Sequence, residues 1–169
     1  MQRRRLLKLG LGAAVVLGVA GAGIALIKPG LVGSKLSPGA RDVMRAAAQA
    51  VLSDLLPPPG AARDAALDAQ LQRLDAFIAG MPVPTRKELS DALGLLSTAA
   101  GRYALVGLSK PWTEASAQDV QQALDAMSKS SSNTKQQVYH ALRDLNAIAF
   151  FTAPANWQTA GYPGPIEIA

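Results

Sequence analysis

Beyond an apolar stretch at its start, the chain places hydrophobic residues at helical spacing and interrupts them with proline or glycine. Ser37-Pro38 pairs a cap residue with Pro at the first helical position, and Met44, Ala48, Val51, Leu52 and Leu55 then fall on one face. Pro57-Pro58-Pro59-Gly60 ends that helix. A second face follows in Leu67, Leu71, Leu74, Phe77 and Ile78, and Gly80 and Pro82 stop it. Thr85-Arg-Lys-Glu88 has capping-box spacing and opens a helix that aligns Leu89, Leu93, Leu96 and Ala100. After a break at Lys110-Pro111-Trp112, Ser116 and Asp119 cap a short helix bearing Val120, Leu124 and Met127. Ser130-Ser-Ser-Asn133 is a loop. A last helix from about Thr134 carries Val138, Leu142, Leu145 and Ala149 and runs into Phe150 and Phe151. No stretch alternates convincingly with the period of a strand, and no unit repeats.

Five amphipathic helices joined by short connections predict an all-α bundle over residues 37–151. Residues 29–36 read as a linker. Residues 152–169 differ: prolines at 154, 163 and 165 and glycines at 161 and 164 predict an extended tail rather than a helix. Phe150, Phe151, Trp157 and Tyr162 are four of the chain's eight aromatics, gathered in its last 20 residues. Aromatics beside Pro/Gly segments are typical interface anchors. Two readings stay open: the tail binds a partner, or it folds back and caps its own bundle.

The N-terminus alters the meaning of the charge. Met1-Gln-Arg-Arg-Arg-Leu-Leu-Lys8 precedes a 19-residue apolar run, Leu9 to Ile27, with five glycines in it. A charged segment before an apolar one is the export pattern. Residues 1–28 hold five basic residues and no acid. Of the 17 basic residues, 12 therefore remain for the rest of the chain, against 12 acids. The formal charge of +5 belongs to this segment, and the neutral remainder has no basic stripe for nucleic acid. Arg3-Arg4 with Leu6, Leu7 and Lys8 resembles the twin-arginine export motif. Leu6 stands in place of the usual Phe, and Gln2 in place of Ser or Thr. That resemblance implies a periplasmic protein carried across the inner membrane already folded. Ala20-Gly-Ala22 fits small-residue cleavage but lies inside the apolar run, which is just long enough to span hydrocarbon, so cleavage and a retained anchor both stay open.

Candidate chemistry is sparse. The absence of cysteine excludes disulfides, thiolate metal sites and covalent c-type haem. His140 is the single histidine, and Asp144 one turn on could pair with it, a surface ion-pair spacing rather than a catalytic one. Asp64, Asp68 and Asp75 share a helix with Arg63 and Arg73 and lie opposite its leucines, a solvated face. No catalytic, cofactor-binding or metal-binding residue is expected.

The tail carries the one specific resemblance. Phe150-Phe151, then Pro154-Ala-Asn-Trp157, then Gly161-Tyr162-Pro163-Gly164-Pro165 resembles the C-terminal signature of the gluconate 2-dehydrogenase subunit 3 family. It covers about 20 residues; the twin-arginine start and helical middle agree in organisation only. The resemblance implies a small, non-catalytic accessory subunit of a periplasmic flavoprotein dehydrogenase. Its large subunit, of glucose–methanol–choline type, would hold the FAD, and a separate cytochrome c often takes the electrons. The small subunit would help that partner mature and cross the membrane through the twin-arginine translocase, and then stay bound. Phe150, Phe151, Trp157, Tyr162, Pro163, Gly164 and Pro165 are the partner-binding residues this implies. A free-standing, membrane-anchored helical protein of the periplasm is the alternative.

Overall fold

The computed structural model describes residues 27–164, which form a short hairpin and seven helices. The first helix, α1 (Pro38–Val51), is the centre of the bundle. Ser37 caps it, its Oγ accepting the Ala40 N–H. Five alanines lie along it, and all are buried, together with Val43 and Met44. Small side chains on several sides let neighbours approach a helix closely, and α1 packs against four others: α2 (Ala61–Ala79), α3 (Val83–Ser97), α5 (Ala117–Ser128) and α6 (Asn133–Phe151). Leu71, Leu74, Ile78, Leu93, Leu96, Val120, Leu124, Met127, Val138 and Leu142 fill the space between them. These five long helices are the five read from the sequence, and the all-α class holds for the described residues.

Residues 29–36 are not a loose linker. Leu31–Val32 (β1) and Lys35–Leu36 (β2) pair antiparallel around Gly33, which takes a left-handed φ of 65°. Leu31 and Leu36 are buried. The hairpin is stitched to the bundle at three points: Gly30 N–H to Ser90 O (2.9 Å), Leu31 N–H to Ser90 Oγ (3.0 Å) and Leu36 N–H to Asp75 Oδ1 (2.8 Å). Backbone meets backbone where this segment crosses α3. A Cβ on Gly30 would lie 2.6 Å from Ser90 O, and one on Gly94 would lie 2.5 Å from Lys28 O. Two-residue strands are too short to show alternation, so the sequence pattern missed them.

Helix α3 begins at Val83 behind Pro82, with no side-chain cap, so Thr85-Arg-Lys-Glu88 is inside the helix and not its capping box. It ends at Thr98, which turns extended and starts a new turn, α4 (Ala99–Gly101). Thr98 Oγ1 donates to Leu95 O and accepts the Gly101 N–H. Such local bonding lets a hydroxyl residue compete with helix continuation. Ala100 is consequently exposed and does not extend the Leu89–Leu96 face. Residues Arg102–Val106 form a π-helical turn closed by Gly107 at φ 78°. Arg102 is buried there and donates to Leu108 O and Ser109 O.

The acids of α2 are more than a solvated face. Arg41 pairs with Asp75 at 2.8 Å, and Arg45 pairs with Asp64 and Asp68, tying α1 to α2.

Helix α5 starts with the predicted capping box: Asp119 N–H donates to Ser116 Oγ, and Ser116 N–H to Asp119 Oδ2. Lys110 also donates to that carboxylate at 2.8 Å. The Lys110 bond, then the two with Ser116, lower the Asp119 pKa to about 2. A carboxylate whose folded pKa is depressed contributes stability above its unfolded value and loses it as pH falls through the folded one. Acid is therefore expected to loosen the first turn of α5 between about pH 4 and pH 2. Amide signals of Ala117–Val120 should shift in that window, and Asp119→Asn should abolish the titration.

Candidate functional site

The C-terminus of α6 is built around two adjacent phenylalanines that point different ways. Phe150 continues the stripe of Leu142, Asn146 and Ala149 and is buried, in a satellite core with Ala48, Leu52 and Leu67. Its side chain is thus mostly part of the bundle's core. Phe151 lies one residue round the helix and is 42% exposed, and Ile148, one turn before it, is 44% exposed.

The last carbonyls of a helix have no partner within it. Here side chains supply three of them. Thr152 Oγ1 donates to Ala149 O at 2.8 Å, Asn156 Nδ2 to Phe150 O at 2.7 Å, and Trp157 Nε1 to Phe151 O at 2.8 Å. Asn156 and Trp157 sit on a helical turn, α7 (Ala155–Thr159), where an extended chain was expected. Pro154 directly precedes α7, a position where the missing N–H breaks no helical bond. The chain then doubles back. Tyr162 N–H donates to Trp157 O at 2.9 Å, and the two rings stand 5.6 Å apart at 60°. Gly161 and Gly164 adopt φ values of 77° and 104°, and Gly164 lies against the Trp157 ring. The Pro154…Trp157…Gly161-Tyr162-Pro163-Gly164 spacing thus closes a corner around one indole.

This corner holds Trp157 half-buried and leaves Tyr162 49% exposed, with Pro163 exposed beside it. With Ile148 and Phe151 it makes up most of the large exposed hydrophobics of the C-terminal region. Pro165 and the export residues Arg3, Arg4, Leu6, Leu7 and Lys8 lie outside the described residues. Sequence reasoning missed Ile148, which is one turn from Phe151, and Asn156, whose donor role depends on α7.

On the inner side of the corner, between the Leu55–Pro57 turn, α2 and α7, lies a groove of about 280 Å³. Leu55, Leu56, Ala66, Ala69 and Phe150 give it apolar walls, and Gln70, Arg73 and Asn156 its polar groups. Gln70 is fully buried: its Nε2 donates to Asn146 O at 2.8 Å, and its Oε1 accepts from Arg73 Nη2 at 3.0 Å. Arg73 Nε is buried with no partner, and burial lowers the Arg73 pKa.

His140 is exposed and stacks edge-on against Tyr139, while Asp144 pairs with Arg143 at 2.7 Å and not with His140. Among the described residues no group of histidine and acidic side chains could hold a metal ion, and no helix is long and apolar enough to cross a membrane. No family model, curated protein or solved structure matches the chain.

Proposed function

We propose that this chain is the small, non-catalytic subunit of a membrane-associated, FAD-dependent dehydrogenase of the glucose–methanol–choline type. It assists maturation and twin-arginine export of the flavin subunit and stays bound to it in the periplasm. FAD resides in the large subunit, and a cytochrome c is the natural electron acceptor. The observation that carries this reading is the exposed apolar set Ile148, Phe151 and Tyr162, held at the end of α6 by side-chain caps. Single exposed apolar residues are ordinary, but three large ones on one helix end and the capped corner that follows it suit an interaction surface. The Arg3-Arg4 motif, which suits folded cargo, and the tail signature support it further.

One observation favours the alternative of a free-standing envelope protein. The corner's own hydrogen bonds are satisfied internally, so the tail does not need a partner in order to be ordered.

Affinity purification of the tagged full chain from membranes separates the two. The proposal expects a flavin-containing large subunit in stoichiometric yield. It also expects lysine at Arg3, Arg4 and Arg5 together to leave both chains in the cytoplasm. A pure chain with no flavin absorbance would overturn it.

A further inference from the structure

Helix α2 distributes its charges unevenly. Its acids Asp64, Asp68 and Asp75 are all taken by Arg41 and Arg45 of α1. Arg63 donates to Pro57 O. Arg73 has only the neutral Oε1 of Gln70, and no carboxylate among the described residues pairs with it. Its guanidinium is partly desolvated against Leu55, Leu56 and Phe150, with Nε shut off from water and unbonded. The side chain is only partly buried, so the cation stays available to an anion, while its buried Nε leaves one donor unmade. Guanidinium groups bind carboxylates through a planar fork, and that geometry suits a site where one anion is brought in from outside.

We propose that the groove between α2 and α7 receives a carboxylate-bearing apolar segment of the flavoprotein subunit, with Arg73 as its anion partner. The proposal rests on the accessory-subunit reading above. Charge complementarity selects the occupant: the walls are apolar and the one unneutralised group is cationic. Continuity selects the source. The groove shares Phe150 and Asn156 with the corner that presents Phe151 and Tyr162, so one partner surface can engage both sides of α7. An Asp or Glu next to a Leu or Phe would place its side chain on Arg73 and its neighbour against Leu55 and Ala69. The buried Gln70 fixes the guanidinium through Nη2 and is itself fixed by Asn146, so the cation is held in place before binding.

The test uses the full chain co-expressed with its large subunit. Arg73→Gln removes the charge, and Ala69→Phe fills the groove while keeping it. Both are expected to weaken the complex at least about tenfold, as truncating one member of a desolvated charge pair does. Arg73→Gln also removes the donor to the buried Gln70 Oε1, so the thermal midpoint of the free chain is expected to fall slightly. Arg73→Lys, which keeps the charge and a donor, is expected to recover the midpoint and part of the binding. Loss of binding in Ala69→Phe, which leaves Arg73 and its bond to Gln70 in place, separates a site from a structural role. Arg73→Gln binding within twofold of wild type, where wild type does bind, overturns this proposal and leaves the accessory reading intact. Binding by Ala69→Phe within twofold of wild type makes Arg73 a structural residue and overturns it too. If deleting residues 165–169 abolishes the effect of Arg73→Gln, the occupant is this chain's own end, which also overturns it. A wild-type chain that retains no flavoprotein overturns both readings together.

Discussion

Trp112→Ala is expected to lower the stability of the domain by about 3–5 kcal/mol, against a total of about twice that for a chain of this size. The sequence marks Lys110-Pro111-Trp112 only as a break between helices, yet Trp112 is buried in the main core. Its indole Nε1 donates to Leu96 O at 2.8 Å. Helix α3 ends at Ser97, so that carbonyl is one of the orphans at its C-terminus. The truncation removes a large apolar volume and strands a buried acceptor at once. The two contributions separate in Trp112→Phe, which keeps most of the volume and loses the donor. That variant should cost about 1–3 kcal/mol. Urea unfolding of both variants checks the ratio. An alanine variant no less stable than the phenylalanine one would mean that the indole packs against nothing of consequence.

Trp157 does for α6 what Trp112 does for α3: both tryptophans of the chain donate an indole N–H to a helix C-terminus. This bears on the second large effect, the loss of the flavoprotein on mutation of the tail. Phe151→Ala with Tyr162→Ala should release the partner while leaving the bundle folded, because both rings are largely exposed and neither fills the core. Hot-spot aromatics cost about 2–4 kcal/mol each on truncation, roughly 30- to 1000-fold in affinity. Trp157→Ala should instead reduce binding and stability together, since it uncaps Phe151 O and removes the surface on which Tyr162 rests. The measurements are flavin retained on the captured chain and the thermal midpoint of the free chain. If Phe151→Ala/Tyr162→Ala keeps the flavoprotein, the aromatic surface is not the interface. If it melts as early as Trp157→Ala, the tail is chiefly a cap.

What the sequence made legible follows the length scale of each pattern. The five long helices were readable because each presents three or more turns of one apolar face, and Ser37, Ser116 and Asp119 mark their starts with local hydrogen bonds. The hairpin at Leu31–Leu36 was not readable, since two residues per strand give no period. The end of α3 at Thr98 and the π-helical turn after it depend on one hydroxyl and one glycine, and the apolar spacing runs past both. At the candidate site, composition gathered the right residues in one place. It could not tell Phe150 from Phe151, because inside and outside differ there by a single step around the helix. The groove at Arg73 was out of reach altogether. Its walls come from the Leu55–Pro57 turn, α2, α6 and α7, and its defining feature is a partner that Arg73 lacks.

The crossing of Ile27–Leu31 over α3 bears on reach. A flexible eight-residue linker over 29–36 would let the domain wander by about 15 Å from its point of attachment. With Gly30 seated on Ser90 and Gly94 under Lys28 O, that freedom is close to zero at Ile27. The described chain therefore enters the bundle at Ile27 in one fixed direction relative to Phe151 and Tyr162. Segment 29–36 thus adds no slack between Ile27 and any surface of the bundle.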